Sequence, residues 1–175
     1  RKVPEDSPVY REAMLHLALS LSRQKKHDEA IAIVRKLREK DPDDVELMLF
    51  LGGQLEEAKR YGEALAVVSE ATAKAPANPS AWFSLGVVCD KLGMLDNVIA
   101  AMEKAIALDP RNATALNYLG YTFAERNMRL PEAEQLILRA LEVLSQQSSS
   151  PAIGTSSPSS STTAFLAPPT EATPR

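Results

Sequence analysis

Apolar and polar positions alternate along most of the chain with the spacing of helices packed on one face. Between residues 79 and 112 a first apolar set is Trp82, Leu85, Gly86 and Cys89, and a second is Val98, Met102, Ala105 and Ile106. Both follow the i, i+3, i+4, i+7 spacing that puts one stripe of a helix against a core. Gly93 falls where the first helix should stop, and Asp96 falls where the second should be capped. Asp109-Pro110 closes the stretch, because a proline disfavours helix in the residue before it.

The stretch is one copy of a repeated pattern. Gly52, Gly86 and Gly120 stand 34 residues apart, as do Pro42, Pro76 and Pro110. Leu17, Leu51, Leu85 and Leu119 keep the same step, and Ala18 precedes Gly52 by 34. The pattern predicts paired helices at about Tyr10–Arg23 and Asp28–Lys40, Val45–Lys59 and Gly62–Ala75, Ser80–Leu92 and Asp96–Leu108, and Ala113–Arg126 and Pro131–Leu144. Pro4 and Pro8, with no periodicity around them, predict an extended lead-in over residues 1–9. Unit four has one extra residue between Asn127 and Ala133.

Small residues recur where two helices of a pair should cross closely: Ala18, Gly52, Gly86 and Gly120 in the first helices, and Ala30, Ala64, Ala71, Ala105, Ala133 and Ala140 in the second. A glycine inside a helix costs about 1 kcal/mol relative to alanine, so close packing is the expected reason for its presence. Val98 and Leu37 take slots that hold small residues elsewhere, and each is expected to push its pair slightly apart.

A 34-residue period with two helices per unit resembles the tetratricopeptide repeat (TPR) family. Unit three carries that family's W-x2-L-G pattern as Trp82, Leu85 and Gly86, followed by Ala105 and Pro110, and the match covers roughly residues 11–144. The resemblance implies an all-α fold, a right-handed α-solenoid of four helix-turn-helix units at about 11–44, 45–78, 79–112 and 113–144. It also implies a concave face lined by the first helices, which such solenoids use for binding.

Carried over position by position, five to a unit, the resemblance places Glu12, Leu15, Leu19, Ser22 and Arg23 of unit one on that face. It adds Glu46, Leu49, Gly53, Glu56 and Glu57 of unit two. Ser80, Phe83, Val87, Asp90 and Lys91 follow from unit three, and Thr114, Asn117, Tyr121, Ala124 and Glu125 from unit four. Acids outnumber bases there, and large apolar side chains stand among them. A groove of that character favours a peptide or helix carrying Lys or Arg and a few large hydrophobics. The family's known clamp for a C-terminal carboxylate needs Lys, Asn and Arg; those slots here hold Leu15, Leu19, Phe50, Ser80 and Ser84, which excludes that function.

Composition narrows the picture further. The chain has 175 residues, 45% hydrophobic and 25% charged, with net charge −3, as suits a soluble globular protein. Aromatics are only 5%, so the core is expected to be aliphatic and alanine-rich. No run approaches the roughly 20 apolar residues of a membrane span. The basic footprint of a nucleic-acid binder is missing. No secretory signal is visible in RKVPEDSPVY; the chain starts without Met, so processing or trimming is expected. Localisation is cytoplasmic by default, with the bacterial periplasm or cell envelope as the alternative.

No constellation of a catalytic site appears. His16 and His27 fall in different helices with no partner spacing, and no cofactor or metal is expected. His27 occupies the turn slot of Tyr61 and Leu95 and reads as a packing residue; Cys89, in phase with Leu21, Leu55 and Phe123, reads as a buried, inert thiol. Gly52-Gly53 lies inside a helix, so it is not a phosphate loop. The leading expectation is a non-catalytic scaffold for a protein or peptide partner. A regulatory or docking arm of a larger enzyme and a self-assembly module stay open.

Residues 145–175 change character. Of these 31, 9 are Ser, 5 Thr and 5 Pro, the composition of a disordered tail. The last helix is therefore expected to end uncapped, presenting Leu136, Ile137, Ala140, Leu141 and Leu144 to the tail's Phe165-Leu166 or to a second copy in a homodimer.

Overall fold

The computed structural model describes residues 7–148, and all the regular structure in them is helical. Eight helices follow in order: α1 (Pro8–Arg23), α2 (His27–Lys40), α3 (Val45–Glu57), α4 (Tyr61–Lys74), α5 (Pro79–Lys91), α6 (Leu95–Leu108), α7 (Ala113–Glu125) and α8 (Leu130–Ser148). They pack as consecutive pairs, each pair resting on the next, which is the α-solenoid.

Side-chain caps fix where the first helices begin. Asp44, Asn78 and Asn112, 34 residues apart, each accept a backbone N–H of the first turn: Leu47 N at 3.0 Å, Ser80 N at 2.9 Å and Ala115 N at 3.0 Å. α1 breaks that phase. Ser7 caps it by accepting from Tyr10 N at 3.1 Å, so the helix starts at Pro8 and not at Tyr10. α2, α4 and α6 have no side-chain cap. Met94, not Asp96, is the capping residue of α6, and Asp96 lies in its first turn, where a carboxylate favours the positive end of the helix. At the other end of the molecule α8 runs four residues past Leu144, to Ser148. Of the expected lead-in and tail, residues 1–6 and 149–175 lie outside the described residues.

The turn within each pair is the same device four times. Lys25, Lys59, Gly93 and Asn127 have φ of 62°, 58°, 71° and 53°. The following N–H then reaches back to close the helix: Lys26 to Leu21 O at 2.9 Å, Arg60 to Leu55 O at 2.8 Å, Met94 to Cys89 O at 2.9 Å and Met128 to Phe123 O at 2.8 Å. Gly93 meets that backbone without strain and Asn127 with little, whereas Lys25 and Lys59 bear its cost; the extra residue of unit four is absorbed by Arg129, at φ 42°.

The seams between paired helices explain three of the glycines. A Cβ on Gly52 would stand 2.6 Å from Val68 Cγ1, one on Gly86 2.7 Å from Met102 Cε, and one on Gly120 2.8 Å from Ile137 Cγ1. Ala18, Ala30, Ala64, Ala71, Ala105 and Ala140 are buried with them. Val98 is fully buried in the seam of its pair. Leu37 is buried in the α1–α2 pair, as is Ala18.

Two expectations of burial change. Leu51 and Leu119 are 2% exposed, but Leu85 is half-buried and Leu17 is 45% exposed, because no described element packs on the outer side of α1. On α8, Leu136 and Ala140 are buried against α7 and Ile137 and Leu144 are half-buried. Leu136 and Ile137 lie over Gly120 in the seam, so that row is internal. The outer row of α8 is Leu130, Leu138 and Leu141.

Candidate functional site

The first helices lie side by side: α3 touches α5 directly, and α5 is joined to α7 through side chains. Between α3 and α5 is a half-open cavity of about 110 Å³. Leu49, Gly53 and Glu56 of α3 and Phe83, Ser84 and Val87 of α5 form its walls, with Gly52, Val68 and Val88 behind them. Five residues that the sequence assigned to the binding face, Leu49, Glu56, Phe83, Val87 and Gly53, therefore meet around one space.

Glu56 gives that space its polarity. It is half-buried among apolar neighbours. Desolvation pushes its carboxyl above the ordinary glutamate value; nearby Lys91 pulls the other way, and Glu57 adds a smaller upward push.

On the far side of α5 the wall is stiffened by Tyr118 of α7. Its ring meets Phe83 edge-on, centroids 5.9 Å apart at 86°. Its hydroxyl donates to Asp90 Oδ2 at 2.8 Å, and burial together with that bond holds the phenol protonated well above its usual range. Arg126 Nη2 is 4.0 Å from the other Asp90 oxygen. Tyr118 was missing from the sequence reading. It is in phase with Phe50 and Ser84, a position outside the five taken per unit, and the available signal was a large polar aromatic where the previous unit has serine.

The remaining assigned residues do not join the cavity. Glu57 accepts from the buried Ser22 hydroxyl of the preceding unit, and Ser22 Oγ is 3.3 Å from His27 Nδ1. Glu46 lies 3.8 Å from Arg11 Nη2, at the outer end of the row. Leu15, Leu19, Lys91 and Asn117 are half-buried, and Arg23, Tyr121 and Glu125 are exposed. Glu12 is 3.9 Å from His16 one turn along α1.

The residues with reactive side chains are dispersed. Cys89 is 1% exposed in the core and its thiol is pushed up by burial. His16 is on the surface of α1, and His27 opens α2. Among the described residues no three His, Cys, Asp or Glu side chains are grouped to hold a metal ion. Nor is any helix among them long and apolar enough to cross a membrane.

Comparison with known proteins bears on this arrangement. Three family models, each of a tetratricopeptide repeat, match residues 21–86, 79–112 and 101–135. No curated protein sequence matches. Among solved structures, MamA 41-end from Desulfovibrio magneticus RS-1 is 25% identical, covers 79% of this chain and 77% of its own, and superposes with a TM-score of 0.67. A second MamA crystal structure gives 25% identity, 78% and 80% coverage and a TM-score of 0.67. A third, at 23% identity and TM-score 0.64 over 83% of this chain and 79% of that one, speaks to the fold alone.

Proposed function

The chain belongs to the tetratricopeptide repeat family and is built as a protein–protein interaction scaffold, and from that premise we propose that the row of first helices is the surface that receives the partner. The occupant is a peptide or helix that is both basic and apolar. The observation that carries this reading is the cavity between α3 and α5, where the half-buried Leu49, Phe83 and Val87 stand beside Glu56. Apolar side chains aligned on an open face, with acids among them, suit a segment that buries hydrophobics and brings positive charge. Binding, with no bond made or broken, is the role the arrangement supports.

Capture of partners from the source organism tests it. The double reversal Glu56→Lys with Glu57→Lys should weaken capture of a basic partner, and Phe83→Ala should weaken it too, each compared with the native protein at a temperature where the variant keeps its full helical spectrum. A partner held equally well by the charge-reversed protein would place binding elsewhere.

A further inference from the structure

We propose that the cavity between α3 and α5 is an anchor site for one lysine or arginine side chain of the partner, and that Gly53 is the residue that keeps it open. This rests on the groove reading above and narrows it to one position and one side-chain chemistry.

Gly53 is the starting observation. It lies in the interior of α3, where glycine is disfavoured by about 1 kcal/mol against alanine. Its neighbour Gly52 has a reason in the seam. Gly53 has none: a Cβ there would meet nothing within 4 Å. The in-phase positions of the other units, Leu19, Val87 and Tyr121, all carry large side chains. The row is therefore missing one side chain, and the space left is part of the cavity.

The walls specify what fills it. Leu49, Phe83 and Val87 offer apolar surface, and Glu56 offers a carboxylate. Lysine and arginine have that make-up, an aliphatic stem with a cation at its tip. A wholly apolar occupant would strip water from Glu56 and give it no partner, which is unfavourable. A second acid, Asp90, stands beyond, already accepting from Tyr118. Lys91 is the cation whose field reaches Glu56 in the free protein, so the incoming cation competes with it.

The test uses two small probes, Nα-acetyl-lysine methylamide and Nα-acetyl-norleucine methylamide, titrated into the labelled full chain and followed by NMR. They differ by the ammonium group. The lysine probe should give saturable shifts centred on Gly53 and Val87, and the norleucine probe weaker ones. Glu56→Gln should weaken the lysine probe about threefold, the scale of a partly exposed ion pair, and leave norleucine unchanged. Lys91→Ala should strengthen the lysine probe. Gly53→Val, checked for an unchanged helical spectrum, should remove the shifts, and Gly53→Ala should reduce them in a protein at least as stable. Equal response to the two probes, or shifts that persist in Gly53→Val, would overturn the anchor site. The broader groove reading has a separate readout: partner capture lost in Phe83→Ala but retained in Gly53→Val would leave the groove standing and remove the anchor.

Discussion

Gly52 and Gly53 are adjacent in α3 and belong to two different regions of the molecule. Gly52 faces the seam with α4, where Val68 Cγ1 occupies the space a Cβ would need, at 2.6 Å. Gly53 faces the row of first helices, where a Cβ would touch nothing. The seam is a region in which each unfavourable local choice is offset by a contact. Its glycines recur at Gly86 and Gly120 and meet Met102 and Ile137 in the same way. The open row between α3 and α5 holds local choices that the fold does not offset: a helix-interior glycine without a neighbour and a carboxylate half-buried beside apolar walls. Features that lower stability with no return inside the molecule are the ones expected where a surface serves something outside it.

That contrast can be broken at several places, and the largest effect is in the seam. Leu55 is fully buried on the packed side of α3, so Leu55→Ala should cost about 2–5 kcal/mol in chemical denaturation. Leu85, half-buried, should cost less when cut to alanine than Leu55 does. Because each pair supports the next, either change should move the one unfolding transition and not split it. A loss below 1 kcal/mol at Leu55 would mean the seam is not where stability resides.

The two glycines give the next effects, and their signs should differ. Gly52→Ala forces its Cβ against a branched valine, and overpacking of that kind costs about 1–3 kcal/mol, reduced by the roughly 1 kcal/mol that alanine gains in a helix. The net change should be a lower melting temperature. Gly53→Ala receives the helical gain alone and should stabilise by up to about 1 kcal/mol. If the two substitutions shift the melting temperature in the same direction, the distinction between seam and open row fails.

The same two regions were unequally legible in the sequence. The seam was readable because helix packing repeats: one glycine predicted the next, 34 residues on, and the pairs of helices followed to within a few residues. The turns were half-readable. Gly93 announced a left-handed residue, whereas Lys25 and Lys59 hold the same conformation with side chains that give no sign of it. Asp96 misled because a helix start admits an acid either at the cap or in the first turn, and only the backbone decides. On α8 the row of Leu136 and Ala140 looked outward because its partner, Gly120, has no side chain to announce the contact. The open row was least legible. Position within a repeat put Leu49, Glu56, Phe83 and Val87 on one face, but not around one cavity, and it passed over Tyr118. Which neighbours meet depends on what is absent between them, here the side chain of Gly53.

The smallest effect concerns Glu56 and is distinguished by its dependence on pH. Burial raises the folded-state value of this carboxyl above the ordinary 4.5, and Lys91 limits the rise. The folded protein therefore holds a proton on Glu56 over a range where the unfolded chain has released it. The stabilising contribution is fully present below the ordinary glutamate value and is lost as pH rises through the raised one. Above both values the folded state carries the full unfavourable effect of a half-desolvated charge. Glu56→Gln removes the charge and keeps the shape, so it should match the native protein in acid and be the more stable of the two at neutral pH. The other carboxylates titrate in both proteins and largely cancel in the difference. Paired denaturation curves at about pH 4 and at neutral pH read the effect. A difference that does not grow as pH rises, or a glutamine variant less stable at neutral pH, would show that Glu56 is held by partners within the fold, and the open row would then resemble the seam.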